Sequence, residues 1–247
     1  MMKKLKRVFI FLILILAVIM AGNIDTSIHQ GTNGRYRDIH MPLYAKWIQF
    51  LARHYEYARL EKEITHGYAD DEARAIAILK WTKENIKDVP SGMPIVDDHI
   101  LNIIIKGYGT PVQFQDVFTL LCSYDGMPAF WDKFYDKNHK IIYAISFAKI
   151  KGEWRVFDAY QGIYFRKDNG RIASVEDIMM DPYIVQRDVN VNKLYIAGVP
   201  YKDFYYNLDL KQVKEGITLR PYRQMPLHRI VYEMKKFFGM EKHEKIK

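Results

Sequence analysis

The chain has 247 residues, a formal net charge of +8 and a single cysteine, Cys122. That length suits one substantial domain, and a lone cysteine excludes an intrachain disulfide, so stability must rest on packing. Four of the positive charges (Lys3, Lys4, Lys6 and Arg7) stand before the first apolar run. The surplus on the rest is modest, and no nucleic-acid motif accompanies it, so no nucleic-acid partner is expected.

The first element is the apolar run Val8 to Gly22, fifteen residues behind the basic cluster. It reads as a signal peptide or an uncleaved signal anchor, although a spanning helix needs about 20 residues. Ile19 stands where a cleavage site would want a small residue, and no cysteine follows to carry a lipid. The basic flank should stay in the cytoplasm, which puts the body at the outer face of the cell membrane, anchored through residues 8–22 or secreted. Residues 23–38 are polar and read as a linker. From Met41 to Leu60, Leu43, Trp47, Phe50, Leu51 and Tyr55 recur near helical spacing. A second helix is predicted from Asp71 to Ile86, with Asp70, Asp71 and Glu72 favourably placed at its positive end. Pro90, Gly92 and Pro94 mark a loop, and Asp97 or Asp98 should cap a short helix ending at Ile105.

After a Gly107-Tyr-Gly109 turn comes the most informative local pattern. Thr110 and Gln113 have capping-box spacing, Pro111 takes the first helical position, and Phe114, Val117, Phe118 and Leu121 form one stripe. The period then changes. Ile141–Ile150 and Trp154–Asp158 read as strands joined at Lys151-Gly152-Glu153, with a third strand from Gly162 to Arg166. Helices followed by an antiparallel sheet make an α+β fold. Farther on, a helical turn is predicted at Ser174–Met179 and a short helix at Tyr201–Asn207. An amphipathic helix at Pro226–Phe238 has Leu227, Ile230, Val231, Met234 and Phe238 on one side. The organisation expected is a membrane segment (1–22), a linker (23–38), a core domain (39–170) and an extension (171–247). The last helix of that extension should pack on the domain.

Three pieces of this chain together resemble the transglutaminase-like, papain-type superfamily. The segment from Ala75 to Ile86, including Trp81 and Asn85, is similar to the helix that precedes that family's active site. Gly109-Thr-Pro-Val-Gln-Phe through Gly126-Met-Pro-Ala129 is similar to its central helix and the turn that follows. Gly152-Glu-Trp154-Arg-Val-Phe-Asp158 is similar to its G-x-W-x-x-x-D strand. The resemblance covers about a third of the chain. It implies a papain-like core, helices packed on an antiparallel sheet, with a cysteine at the first turn of the central helix. A histidine and an aspartate on neighbouring strands would complete the site. Aligning Gly109 and Gly126 puts Pro111 at the cysteine position (Val112 after a one-residue slip). Counting back from Trp154 puts Tyr143 near the histidine position, and Asp158 matches the aspartate. No catalytic residue is therefore expected.

Other candidates have plainer readings. Cys122 lies three turns into its helix and should be a small buried hydrophobe. Asp97-Asp98-His99 lacks a second ligand pair with metal-binding spacing, so no metal and no cofactor are expected. His139 follows a turn and should face solvent. The functional expectation is an inactive transglutaminase-like domain that holds a peptide or glycan in its old cleft, lined by Gln113, Trp131, Tyr143, Trp154 and Asp158. The alternatives are a hydrolase or transferase of another chemistry pairing Asp158 with a histidine, and a scaffold component of an envelope or polysaccharide export system.

Overall fold

A computed structural model describes residues 2–32, 35–93, 99–187, 189–208 and 225–238. Helix α1 (Met2–Gly22) leads into a hairpin of β1 (Asp25–Thr32) and β2 (Arg35–Pro42), followed by α2 (Leu43–Thr65) and α3 (Asp71–Asn85). Next come β3 (Lys87–Asp88), α4 (Ile100–Lys106), β4 (Tyr108–Gly109) and α5 (Pro111–Tyr124). The main sheet is β5 (Ala129–Tyr135), β6 (Ile142–Ile150), β7 (Glu153–Asp158) and β8 (Ile163–Tyr164), antiparallel and in chain order. After it lie α6 (Val175–Met180), α7 (Tyr183–Gln186), α8 (Val189–Asn192), the short strands β9 (Tyr195–Ile196) and β10 (Val199–Pro200), a 3-10 helix (Tyr201–Asn207) and α9 (Pro226–Phe237). This is the α+β class that the change of period predicts.

The sheet is buried on both faces. On one, Ala148, Ile150 and Phe157 pack with Phe114, Phe118 and Leu121 of α5 and with Ile78 and Leu79 of α3. On the other, Tyr143, Ile145, Phe147 and Val156 pack with Ile178, Val185, Val191, Tyr201, Phe204 and Tyr205. The alternation of β6 makes this possible, since odd and even residues leave a strand on opposite sides and both sets are apolar.

Local signals explain most element ends. Asp70 caps α3 by accepting from the Glu72 and Ala73 amides, and both halves of the Thr110–Gln113 capping box form at α5. A second capping box, Ser174 with Asp177, starts α6. Gly107 ends α4 with φ +68°, a conformation glycine adopts without steric cost.

Four expectations need revision or fall outside what is described, and one strand was not expected. Residues 23–38 are not a linker, because most of them pair in the β1–β2 hairpin, in register from Asp25↔Pro42 to Thr32↔Arg35. Apart from Ile28, Ile39 and Met41 on one face, its sequence is mostly polar, and no sustained apolar alternation reveals it. Ala129–Tyr135 is an edge strand paired with β6. The core does not end at 170: Ile172, Val175, Ile178, Tyr201, Phe204 and Leu208 are all buried. Buried Arg155 donates to the carbonyl of Ile172, tying the later segment to the sheet. Leu227, Ile230, Val231 and Met234 of α9, and Phe238 just after it, are exposed, so no described residue of the domain covers the apolar stripe that was expected to pack there. Asp97 and Asp98 lie outside the described residues, and His99, at the N-cap of α4, makes no side-chain cap.

No helix, among the described residues, is long and apolar enough to cross a membrane. The apolar run of α1, Val8–Gly22, would measure about 22 Å at 1.5 Å per residue, against a hydrocarbon core of about 30 Å. Its side chains, Phe9, Phe11, Leu14 and Leu16 among them, are exposed.

Candidate functional site

Asp158 ends β7, and its side chain is wholly buried. Three donors reach Oδ1: the Gln115 amide at 3.2 Å, the Tyr160 backbone N–H at 3.0 Å and the Gln161 backbone N–H at 3.1 Å. Two phenols donate to Oδ2, Tyr143 at 2.8 Å and Tyr201 at 2.6 Å. A carboxylate offers about four lone-pair sites, so five donors saturate it. Because the Tyr201 proton points at Asp158, the 2.6 Å contact between the Tyr201 and Tyr205 hydroxyls has Tyr205 as donor.

Each donor is placed by an ordinary local device. Tyr160 and Gln161 belong to the tight turn between β7 and β8, where the Asp158 side chain accepts from its own turn. Gly162 closes that turn at φ +71°, and a Cβ there would come within 2.9 Å of Lys83. Gln115 sits in the second turn of α5, and its Oε1 accepts from Ser146 Oγ at 2.6 Å and from the Ala159 N–H at 3.1 Å. One amide thus joins α5, β6 and the β7–β8 turn. Tyr143 leaves β6 on the face away from α5, where its ring meets Phe204 at 5.1 Å and Tyr201 at 5.9 Å between centroids.

Burial is the main electrostatic fact. It pushes the Asp158 carboxyl above its ordinary value, against the opposing pull of Tyr201, the Gln161 N–H, Tyr143 and Gln115. Burial, and next to it the Asp158 charge, holds the Tyr143, Tyr201 and Tyr205 phenols well above theirs. Three neutral phenols around one carboxylate offer hydrogen bonds and no nucleophile.

The aligned positions are therefore connected in space. Tyr143 bonds Asp158 directly, while Pro111 stands one helical turn before Gln115, which also bonds Asp158. Pro111 is exposed and Val112 half-buried at the start of α5. Neither has an atom able to attack a carbonyl.

The remaining candidates stand apart from this centre. Gln113 Oε1 is used by the Thr110 N–H at 2.8 Å, and Trp131 Nε1 donates to Asp116 at 2.6 Å. Trp154 is buried against Phe130 and lies four residues before Asp158 on the same strand, about 13 Å away at strand rise. Cys122 is fully buried, and burial, with the nearby Asp125 charge, pushes its thiol well above the usual value. His139 is an exposed turn residue at φ +56°, and the Asp158 oxygens are bonded by other groups. A pocket of about 350 Å³ opens among Lys167, Asp168, Asp177, Asp181 and Arg187, sharing no residue with the Asp158 centre. Its cations are paired, Lys167 with Asp177 and Arg187 with Asp168 and Asp181.

Sequence reasoning missed Gln115, Ser146, Tyr201 and Tyr205. Gln115 stood inside the central-helix motif, two residues beyond the capping glutamine. Tyr201 and Tyr205 carried only a weak signal, two tyrosines at i, i+4 in a segment read as an appendage.

No protein-family model matches the sequence, and no curated protein matches it. Among solved structures, the chain is similar to a candidate cysteine protease from Cytophaga hutchinsonii, at 20% identity and a TM-score of 0.40, over 51% of this chain and 45% of that one. It is similar to a candidate protease from Parabacteroides distasonis, at 13% identity and a TM-score of 0.36, over 56% and 36%. It is also similar to a TGase at 11% identity and a TM-score of 0.36, over 60% and 46%. The similarity thus spans less than half the length of each.

Proposed function

We propose that this chain is a non-catalytic transglutaminase-like domain, held by α1 at the outer face of the cell membrane, that works as an envelope-associated scaffold. The observation that carries this reading is the closed shell around Asp158. In a working triad the aspartate keeps lone pairs for a histidine, and the histidine serves a thiolate. Here Tyr143 and Tyr201 hold Oδ2, Gln115 and two backbone N–H groups hold Oδ1, and the helix start offers a proline. The central helix start survives as a capping device after its chemical use is gone.

A peptide or glycan in the old cleft is less well supported by this geometry. Gln115, Ser146, Asp158 and Tyr201 are fully buried and bonded to one another, so a ligand would have to displace them. Acid–base work by Asp158 with a histidine has no support either, since tyrosines take the bonds that a histidine would need.

The membrane placement rests on α1. A helix that is apolar all round is stable only where its whole circumference meets apolar matter. No described residue covers its exposed side chains from Val8 to Met20, and lipid provides such cover on every side.

The test has two arms. Purified full-length protein, incubated with amide and ester peptides and an amine acceptor, should show no turnover. Pro111→Cys should show none either, because the groups that would activate the thiol are already engaged. Turnover by the natural sequence that is abolished by thiol alkylation would overturn the pseudoenzyme reading. In cells, alkaline carbonate should leave the protein in the membrane pellet, and full release into the supernatant would overturn the placement of α1.

A further inference from the structure

Helix α2 divides into two unlike halves. From Tyr57 onward it is part of the domain, with Tyr57, Glu61 and Thr65 buried. Before that point one side still meets the domain, where His54 Nδ1 lies 2.9 Å from the Tyr124 hydroxyl, and the other side is open. Tyr44, Ile48, Leu51 and Tyr55 recur at i, i+4, i+7, i+11, which places them on one face, and that face is open. Trp47 beside it is also exposed. The charges divide at the same place: Leu43 to Tyr55 contains Lys46 and Arg53 and no acid, whereas Glu56, Glu61 and Glu63 all follow.

We infer that the first half of α2 lies in the headgroup–acyl boundary of an anionic membrane, as a second contact beside α1. This rests on the placement of α1 proposed above. Three observations choose lipid as the occupant. The first is continuity, because the Leu43 N–H donates to the Ile24 carbonyl at 2.9 Å and Tyr44 Cβ lies 3.7 Å from where a Gly22 Cβ would be. The exposed face of α2 therefore starts at the exit of α1. The second is composition. Tyr and Trp, apolar in body and polar at the tip, are the residues that settle at such a boundary. Lys46 and Arg53 leave the helix on the side away from the open stripe, Arg53 near Tyr57 and Tyr124, and give this half a basic balance that suits an anionic surface. The third is the shortness of α1, since a run below the hydrocarbon thickness draws its flanking residues toward the interface.

Two other occupants fit this face less well. Helix α9 also exposes an apolar stripe, but it carries Arg229, Lys235 and Lys236 against the single acid Glu233. Two basic stripes repel one another, whereas both suit an anionic surface. A second copy of the chain would likewise bring cation to cation.

The experiment uses the full chain in vesicles of phosphatidylcholine and phosphatidylglycerol. A nitroxide is placed at Ile48→Cys, at Leu14→Cys in α1, or at Tyr68→Cys beyond α2, with buried Cys122 left in place. Collision with oxygen, which enters lipid, is compared with collision with a water-soluble nickel chelate. Position 48 should share with position 14 a gain in oxygen collision and a loss of chelate collision, while position 68 stays open to the chelate. If position 14 is in lipid and position 48 behaves like position 68, the α2 contact is overturned and the placement of α1 stands. If position 48 is shielded from both reagents, protein covers it, either α9 or another copy, and the inference is overturned. If position 14 proves aqueous, the placement of α1 fails. Position 48 then decides for itself: lipid exposure supports the interfacial half-helix and chelate access refutes it.

Discussion

Around Asp158 each polar side chain has a partner and almost nothing is exposed, whereas along the first half of α2 four large side chains in a row lie open. The two regions share a fold and differ in what completes them. The carboxylate centre is completed from within, by donors that arrive from α5, β6, the β7–β8 turn and the 3-10 helix. The α2 face is left open by the described residues. A buried charge tolerates no vacancy because each missing donor costs desolvation free energy, while an apolar face can wait for another phase to cover it.

The largest test of the contrast removes its centre. Asp158→Ala leaves two phenols, an amide and two backbone N–H groups unanswered in a dry site. It should cost about 4 kcal/mol in chemical denaturation, or prevent folding altogether. A loss below about 1 kcal/mol would mean that the centre is open to water. Tyr143→Phe deletes one bond to a charged acceptor and should cost about 2 kcal/mol, and Tyr201→Phe should cost more because it also removes the acceptor of the buried Tyr205 hydroxyl. The double variant should lose less than the sum of the two, since both phenols serve one oxygen.

A subtler test uses pH. Burial raises the folded-state affinity of Asp158 for its proton above that of the unfolded chain. The folded state therefore binds the proton first, so this residue's contribution improves as pH falls through the raised value and is complete below the unfolded value of about 3.9. Asp158→Asn removes that titration. Thermal melts from pH 7 downward should show the natural protein gaining on the variant as acid is added. Parallel curves would place Asp158 in a wetter site.

The smallest expected effect is on the other side of the comparison. Ile48→Gln and Leu51→Gln should change unfolding free energy by about 0.5 kcal/mol or less, because neither side chain is buried by the domain. A loss of several kcal/mol would show that protein covers this face.

Which parts of the molecule were legible beforehand follows from range. The capping box at Thr110, the stripe of α5, the strands β6 and β7 and the turn at Lys151-Gly152 are written within a dozen residues, and they stand where the sequence places them. That Tyr143 and Asp158 stand on neighbouring strands was implied by the resemblance, while the bond between them was not read. The hairpin of β1 and β2 escaped notice because its residues lack a sustained apolar alternation. Tyr201 escaped because it meets Asp158 across 43 residues of chain.

By itself, then, the sequence determined the class of fold, the start of the central helix and the absence of a sulfur there, since these depend on residue type and short spacing. Only the tertiary structure decided that Tyr143 and Asp158 join Gln115 and Tyr201 in a closed hydrogen-bonded knot, and that no described residue covers the stripes of α2 and α9. Saturation and exposure are properties of what surrounds a side chain. Those surroundings are assembled from segments whose meeting no local pattern records.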